Sequence, residues 1–279
     1  MKMQVLIENI SHSELIPEHG LSIFIEYKGK KILLDAGTSS AFMDNAKKMN
    51  INIADADFCV LSHGHYDHSG GFAAYFEENP SKKLYAMDTS IGEYYSGSGG
   101  YIHEIGIPKS VYPTYSQNFI FVNKPTEISE GIYVIPHSTN GLEKIGERSK
   151  LYKKVDKEYV PDDFSHEMSL VFDTDKGIVI FNSCSHGGVV NIIEEVKEYL
   201  GDKRIYAFVG GLHMKGKIGE TEICTFSEEE IIGMTQYLRK NGIKKLYTGH
   251  CTGVVGYEII KKYMGDDVEY IYTGIQTKI

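Results

Sequence analysis

Short aliphatic and β-branched runs alternate along this chain with stretches whose apolar positions recur at helical spacing. The runs at residues 3–8, 21–27, 31–35, 58–61, 84–87 and 132–135 read as strands, as do 168–173, 177–182, 205–209, 245–248 and 268–272. Lys28-Gly29-Lys30 and the segment 173–177 read as hairpin turns. Between the strands lie helical patterns. Phe42, Met43, Ala46 and Met49 form an apolar stripe behind Ser39 and Ser40. Residues 72–79 form a helical run stopped by Pro80, and 189–200 carries Ile192, Ile193, Val196, Tyr199 and Leu200 on one side before Gly201. Ser227 and Glu230 have capping-box spacing at the head of a helix that ends near Gly242, and 258–264 predicts a short last helix.

Hairpins mixed with β–α units argue against an all-parallel doubly wound sheet. They predict an α/β fold of two mixed β-sheets with helices outside, each half of the chain supplying one sheet. Two stretches break the pattern. Residues 90–118 are rich in Gly and Tyr, and 137–165 is charged and weakly periodic. Loops of that length are often lids or binding loops, and both are expected as candidate lids.

Composition narrows the function classes. The chain has 279 residues, of which 29 are Lys or Arg and 38 are Asp or Glu, for a formal charge of −9. So acidic a surface is unsuited to gripping nucleic acid or an anionic membrane. No apolar run approaches 18 residues, the start reads as a strand and not as a signal peptide, and four cysteines without an export signal suggest reduced thiols. A cytoplasmic protein acting on a small molecule is therefore expected, with oligomeric state open.

The 11 histidines are not spread evenly. Ser62-His63-Gly64-His65-Tyr66-Asp67-His68-Ser69-Gly70-Gly71 places three His and one Asp within six residues, after the apolar strand at 58–61. The C-terminal ends of strands are where α/β enzymes commonly carry chemistry. His63 and His65, two apart, can chelate one ion, while Asp67 and His68 begin the next turn and can face a second. Imidazole and carboxylate donors suit zinc or iron, and the glycines let the backbone bend around ions.

His-x-His-x-Asp-His after a strand resembles the signature of the metallo-β-lactamase superfamily. The resemblance extends to Glu18-His19-Gly20-Leu21-Ser22, Leu33-Leu34-Asp35-Ala36-Gly37, Ser183-Cys184-Ser185-His186-Gly187-Gly188, Gly210-Gly211-Leu212-His213 and Thr248-Gly249-His250-Cys251-Thr252-Gly253. Together these are similar to the subgroup of 7,8-dihydropterin-6-methyl-4-(β-D-ribofuranosyl)aminobenzene-5′-phosphate synthase-like proteins. The resemblance implies an αββα four-layer sandwich and a single domain over residues 1–279, its halves meeting around one dinuclear site. It implies His63 and His65 as first-site ligands, Asp67 and His68 at the second site with Asp67 near the nucleophilic water, and His250 as a late second-site ligand. Asp35 matches a bracing residue behind the histidines, and His19 follows the subgroup pattern near the cleft. His166 matches the third ligand of the first site, with His186 as substitute. Cys184 stands where the superfamily has a bridging Asp, and either ligates or is a small buried residue. His186 and His213 each contact substrate, act as general acid, or join the metal shell. His12, His103 and His137 carry no motif and are expected on the surface or in loops. Cys224 and Cys251 lack partners at zinc-ribbon spacing.

Two cations about 3.5–4 Å apart can hold a hydroxide at neutral pH and clamp developing charge. The expected activity is therefore metal-dependent hydrolysis of a small, anionic ester, phosphoester or thioester. The expected cofactors are two divalent ions, zinc first, with iron or manganese as alternatives. One rival is a condensing synthase acting on a pterin pyrophosphate, for which Lys144, Arg148, Lys150, Lys153, Lys154 and Lys157 could meet phosphates. Tyr94 and Tyr95 in the first pattern-breaking stretch suit stacking on a heterocycle. Another rival is a non-hydrolytic metal-binding sensor or redox protein.

Overall fold

Lys28 and Gly29 both take positive φ, 47° and 77°. That conformation matches the twist of the strands it joins, so β2 (Ser22–Tyr27) folds back on β3 (Lys30–Leu34) with Tyr27 opposite Lys30. The hairpin is the middle of a mixed sheet described, like the rest of the chain, by a computed structural model covering residues 1–279. The sheet runs β20 (Gln276–Lys278), β1 (Lys2–Ile7), β2, β3, β4 (Phe58–Val60), β5 (Leu84–Met87), β8 (Phe119–Val122). From β3 to β8 neighbouring strands are parallel. Helices α1 (Ala41–Lys48), α2 (Tyr66–Ser69) and α3 (Phe72–Glu78) belong to the same unit. Phe42, Ala46, Phe72, Tyr75 and Phe76 pack from α1 and α3 onto Leu6, Phe24, Leu33, Cys59 and Leu84. Fully burying one such side chain contributes roughly 1.5–3 kcal/mol.

The contacts divide the chain into two compact units. The first is Met1–Lys124 with Asn140–Met168 and Tyr272–Ile279, and the second is Pro125–Thr139 with Ser169–Ile271. The second is built on another mixed seven-stranded sheet, ordered β19 (Val268–Tyr270), β18 (Lys245–Thr248), β15 (Ile205–Val209), β14 (Gly177–Phe181), β13 (Met168–Thr174), β10 (Ile132–Pro136), β9 (Thr126–Ser129). Asp175 and Lys176 close the β13–β14 hairpin, with Thr174 opposite Gly177. Helices α5 (Val189–Leu200), α6 (Glu228–Lys240) and α7 (Gly253–Met264) bury Ile192, Ile193, Val196, Ile231, Leu238 and Ile260 in one core with Ile180, Phe208 and Leu246. The Ser227–Glu230 capping box forms with both of its hydrogen bonds. A hairpin of β16 (Lys215–Ile218) and β17 (Thr221–Cys224) completes the unit.

Strands β8, β9, β16, β17 and β20 are not among those expected from the sequence, and two further departures stand out. Helix α7 starts at Gly253, five residues before the predicted start, because its first turns carry Gly253 and Gly256 and lack an apolar stripe. The two stretches expected as long loops are largely ordered against each other. β6 (Tyr94–Ser96) and β7 (His103–Glu104) come from the first, and β11 (Leu151–Val155) and β12 (Glu158–Pro161) from the second. They form one four-stranded sheet ordered β12-β11-β6-β7, with Tyr152 opposite Tyr95. Helix α4 (Glu143–Ser149) leads into β11, and Tyr94, Ile105, Leu142, Leu151 and Phe164 share a small core. No helix is long and apolar enough to cross a membrane.

Candidate metal centre

The chain leaves β4 at Val60 and turns sharply, and three glycines make the turn possible. A Cβ on Gly64 would collide with the Ser90 carbonyl, one on Gly70 with the Thr38 carbonyl, and one on Gly71 with the Ala36 carbonyl. The His-rich loop is thus held against neighbouring backbone too closely for any side chain at these positions. His63, His65, Asp67 and His68 are all buried.

Asp35 is the hub behind the loop. It sits just after β3 with φ of 56°, a left-handed conformation that Asp tolerates better than most residues. Its carboxylate accepts the Ser62 N–H at 2.8 Å and the Ser62 hydroxyl at 2.7 Å, and lies 2.7 Å from His68 Nδ1. With Nδ1 so engaged, the His68 ring presents Nε2, which lies 3.5 Å from Asp67 Oδ2. Ser62 Oγ lies 2.9 Å from His63 Nδ1, so the same hub aims His63 as well. His19, largely exposed, reaches Asp67 Oδ2 at 3.4 Å from the other side.

The rings converge. The centroid of His63 is 4.5 Å from that of His65 and 4.2 Å from that of His68. Burial, reinforced by the neighbouring His166, lowers the pKa of His65 to about 3, against the opposing pull of Asp67 and Asp162. The imidazole is therefore held neutral, which is the form that binds a metal.

His166 is placed differently from its neighbours. Its Nδ1 accepts the Gly64 N–H at 3.0 Å and its Nε2 lies 2.9 Å from Asp162 Oδ2. Both ring nitrogens are thereby engaged within the protein, and Tyr94 packs on the ring at 3.9 Å between centroids. In this arrangement His166 braces the loop carrying His63 and His65, and together with His65 and Asp162 it presents ligand atoms within 4.8 Å of one another. The ligand role expected for it from the resemblance would require giving up one of these two buried hydrogen bonds. Asp162 was not singled out in the sequence, although its position four residues before His166 is a usable signal.

In the second unit, three parallel strands end side by side, and a cluster sits on the loops that follow. Ser185, His213 and His250, after β14, β15 and β18 respectively, have φ of 53°, 48° and 51°. Such left-handed residues are uncommon and gather at functional sites. Asn182 ties its loop down, accepting the Ser185 N–H at 2.7 Å and donating to Ser169 Oγ at 3.0 Å. The His186 and His213 rings lie 4.4 Å apart, and His213 Nδ1 is buried with no hydrogen-bond partner. Cys184, Cys251 and His250 present two sulfurs and a ring nitrogen within 4.8 Å of one another. Burial raises the Cys251 pKa, but hydrogen bonds from Cys184 and His213 and the nearby His250 outweigh it, and the net direction is well down.

His137, expected on the surface or in a loop, lies in the loop after β10, half-buried and with its side chain largely covered. Its Nδ1 lies 2.8 Å from Glu195 Oε2, and Oε1 of that carboxylate accepts the Ser138 and Thr139 N–H groups and the Thr139 hydroxyl. Its ring fills the space above Gly187, where a Cβ would collide with it. The partner lies 58 residues away, so no local motif could show it.

The residues expected to touch substrate are mostly committed elsewhere. Tyr94 is buried and donates its hydroxyl to the Thr89 carbonyl at 2.6 Å, while Tyr95 bonds Glu93 at 3.1 Å. Lys153 pairs with Asp163 at 2.6 Å. Lys150 is the left-handed residue closing α4.

The donor sets fit metal ions. Imidazole, carboxylate and thiol donors are the ligands zinc and iron prefer, and burying so many polar groups is costly unless they are paired or coordinate a cation. His213 Nδ1 is buried and unsatisfied, as a group awaiting a partner would be.

The comparisons agree with this chemistry. The chain matches the family model of the metallo-β-lactamase superfamily over residues 15–146. Its two mixed seven-stranded sheets with helices are those of the metallo-β-lactamase fold. It is 27% identical over 289 aligned residues to a 7,8-dihydropterin-6-methyl-4-(β-D-ribofuranosyl)-aminobenzene-5′-phosphate synthase of Methanocaldococcus jannaschii, covering 98% of this chain and 95% of that protein. The crystal structure of Tm1679, a metal-dependent hydrolase of the β-lactamase superfamily, superposes with a TM-score of 0.83 at 25% identity, covering 100% of this chain and 99% of the other. Zinc-bound PqqB from Methylobacterium extorquens, at 13% identity and a TM-score of 0.57 over the full length of both chains, shares the fold.

Proposed function

We propose that the chain is a metal-dependent hydrolase with a dinuclear centre, acting on a small anionic ester, phosphoester or thioester. The observation that carries this reading is the buried cluster of His63, His65, Asp67 and His68, aimed from behind by Asp35 and Ser62. The family resemblance adds Cys184 and His250 to the donors, and we assign the third place at the first site to His186 in preference to the doubly hydrogen-bonded His166. When bound, two divalent ions, zinc by preference, supply Lewis acidity and lower the pKa of water.

The protein's own groups do the rest. Asp35 fixes the His68 tautomer, and Ser62 orients His63. Asp67, next to His19, accepts a hydrogen bond from an attacking water and holds its proton. To His213, whose Nδ1 is buried without a hydrogen-bond partner, we assign the donation of a proton to a leaving group.

A second reading is a metal-assisted condensing synthase that uses a pterin pyrophosphate. The near full-length similarity to the Methanocaldococcus synthase favours it. Both readings need metal, so one preparation serves both. Protein purified without chelator is assayed for bound metal, then offered phosphodiester and thioester substrates, and separately a pterin pyrophosphate with an aminobenzoate acceptor. The hydrolase reading expects turnover in the first panel. Full metal content and turnover in the His63→Ala/Asp67→Ala double variant would sink it, and condensation alone would replace it with the synthase.

A further inference from the structure

Cys251 stands apart from the donors considered so far. The family pattern supplies Cys184 and His250 as ligands, and no zinc-ribbon spacing suggests a partner for Cys251. The topology supplies one 67 residues away. Strand β15 lies between β14 and β18 in the sheet, all three parallel, with Phe181 level with Val209 and Val209 level with Tyr247. The loops after the two outer strands would ordinarily be held apart by the loop after the middle one.

Here the middle loop begins Gly210-Gly211. A Cβ on Gly210 would collide with the Asn182 carbonyl, and one on Gly211 with Cys251 Sγ. The missing side chain at Gly211 is the space that the Cys251 sulfur occupies. The middle loop is also tied to both of its neighbours, since Gly211 N–H donates to Ser183 O at 2.8 Å and Met214 N–H to Cys251 O at 2.9 Å. The Cys251 thiol donates to the Cys184 carbonyl at 3.5 Å. The outcome is two sulfurs and one His250 nitrogen within 4.8 Å of one another, all inside the second unit. That spacing is what three ligands around one ion require, with bonds of about 2.3 Å to sulfur and 2.0 Å to nitrogen.

We propose that Cys251 is a metal ligand, so that Cys184, Cys251 and His250 form a dithiolate–imidazole set for one soft or borderline cation such as Zn²⁺. Two thiolates select zinc or ferrous iron over magnesium, calcium and manganese. Binding releases each thiol proton to solvent as its Sγ–metal bond forms. The proposal rests on the metal-centre reading above and adds a donor to it.

The test uses the full-length protein loaded with Co²⁺ or Zn²⁺. The wild type is expected to show a near-ultraviolet sulfur-to-cobalt absorption band and two zinc–sulfur scatterers per protein by X-ray absorption. Cys251→Ser and Cys184→Ser should each lose about half of the band and one sulfur. A Cys251→Ser protein with unchanged band and sulfur count overturns the proposal. If the variants fail to fold, iodoacetamide labelling of the wild type decides. Zinc should slow alkylation of Cys251 at least tenfold, and equal labelling with and without zinc overturns the proposal. Wild type that takes up neither Co²⁺ nor Zn²⁺ overturns the metal-centre reading itself, whereas uptake without cysteine involvement overturns only this assignment.

Discussion

Asp35 Oδ2 lies 2.7 Å from His68 Nδ1, although the two residues are 33 apart in the chain. The pair joins the end of β3 to the end of the His-rich loop after β4, and the parallel pairing of those strands brings it about. A metal ligand whose second nitrogen is held this way has a fixed tautomer and a fixed aim.

Replacing Asp35 by Asn removes the charge while keeping a residue that tolerates the left-handed backbone. Loss of such a bracing group typically costs 10–100-fold in metal affinity. Competition with a fluorescent chelator should show a loss in that range, with the far-ultraviolet spectrum unchanged. Asp35→Ala, which strands three buried donors, should also destabilise the fold by roughly 1–3 kcal/mol or more.

The engagement of both His166 nitrogens makes a distinct forecast. His166→Gln should retain its full complement of zinc while losing about 2 kcal/mol of stability, the scale of a buried hydrogen bond to a charged group. Chemical denaturation alongside metal analysis separates the outcomes. Loss of one metal equivalent at unchanged stability would return His166 to the ligand set.

Glu195 carries a pH signature. Burial alone would raise its pKa, but the hydrogen bond and charge of His137, with Thr139 and Ser138, hold it below the ordinary value of 4.5. A carboxylate depressed in the folded state contributes stability that is fully present above its unfolded pKa and is lost as pH falls through the folded one. Thermal midpoints of the wild type should therefore drop as pH falls below about 4.5. In Glu195→Gln the neutral-pH midpoint should be lower and the acid limb flatter. Parallel limbs for the two proteins would refute the assignment.

Gly64 tests how tightly the His-rich loop is held. Its missing Cβ would meet the Ser90 carbonyl, which is backbone and cannot rotate aside. Gly64→Ala should cost roughly 1–3 kcal/mol by overpacking, and should weaken metal retention because His63 and His65 flank it. Melting temperature and bound zinc, measured on the same sample, check both halves.

The sequence showed those parts of the structure that are locally encoded. Strands at 84–87, 205–209 and 245–248 match the observed bounds because their residues are mostly buried apolar ones. The His63–His68 block was legible for the same reason, all its donors lying on one loop. Strands β6, β7, β11 and β12 were not legible, since they are short, rich in Tyr and Lys, and partly exposed, so they show no clean alternation. Cys251 beside Cys184 and His137 beside Glu195 depend on loops that only the folded sheet brings together. The double engagement of His166 lies beyond sequence for a different reason, because a motif names a residue but not which atoms remain available.

The pairing of β6 with β11 has a consequence for how this chain can vary. Each stretch supplies the hydrogen-bonding edge that the other needs, so neither is an independent insertion. Shortening one would expose the backbone of the other and unseat Tyr94, which lies beneath His166. The two excursions therefore form a single structural unit, in which neither can be shortened without unsettling the other.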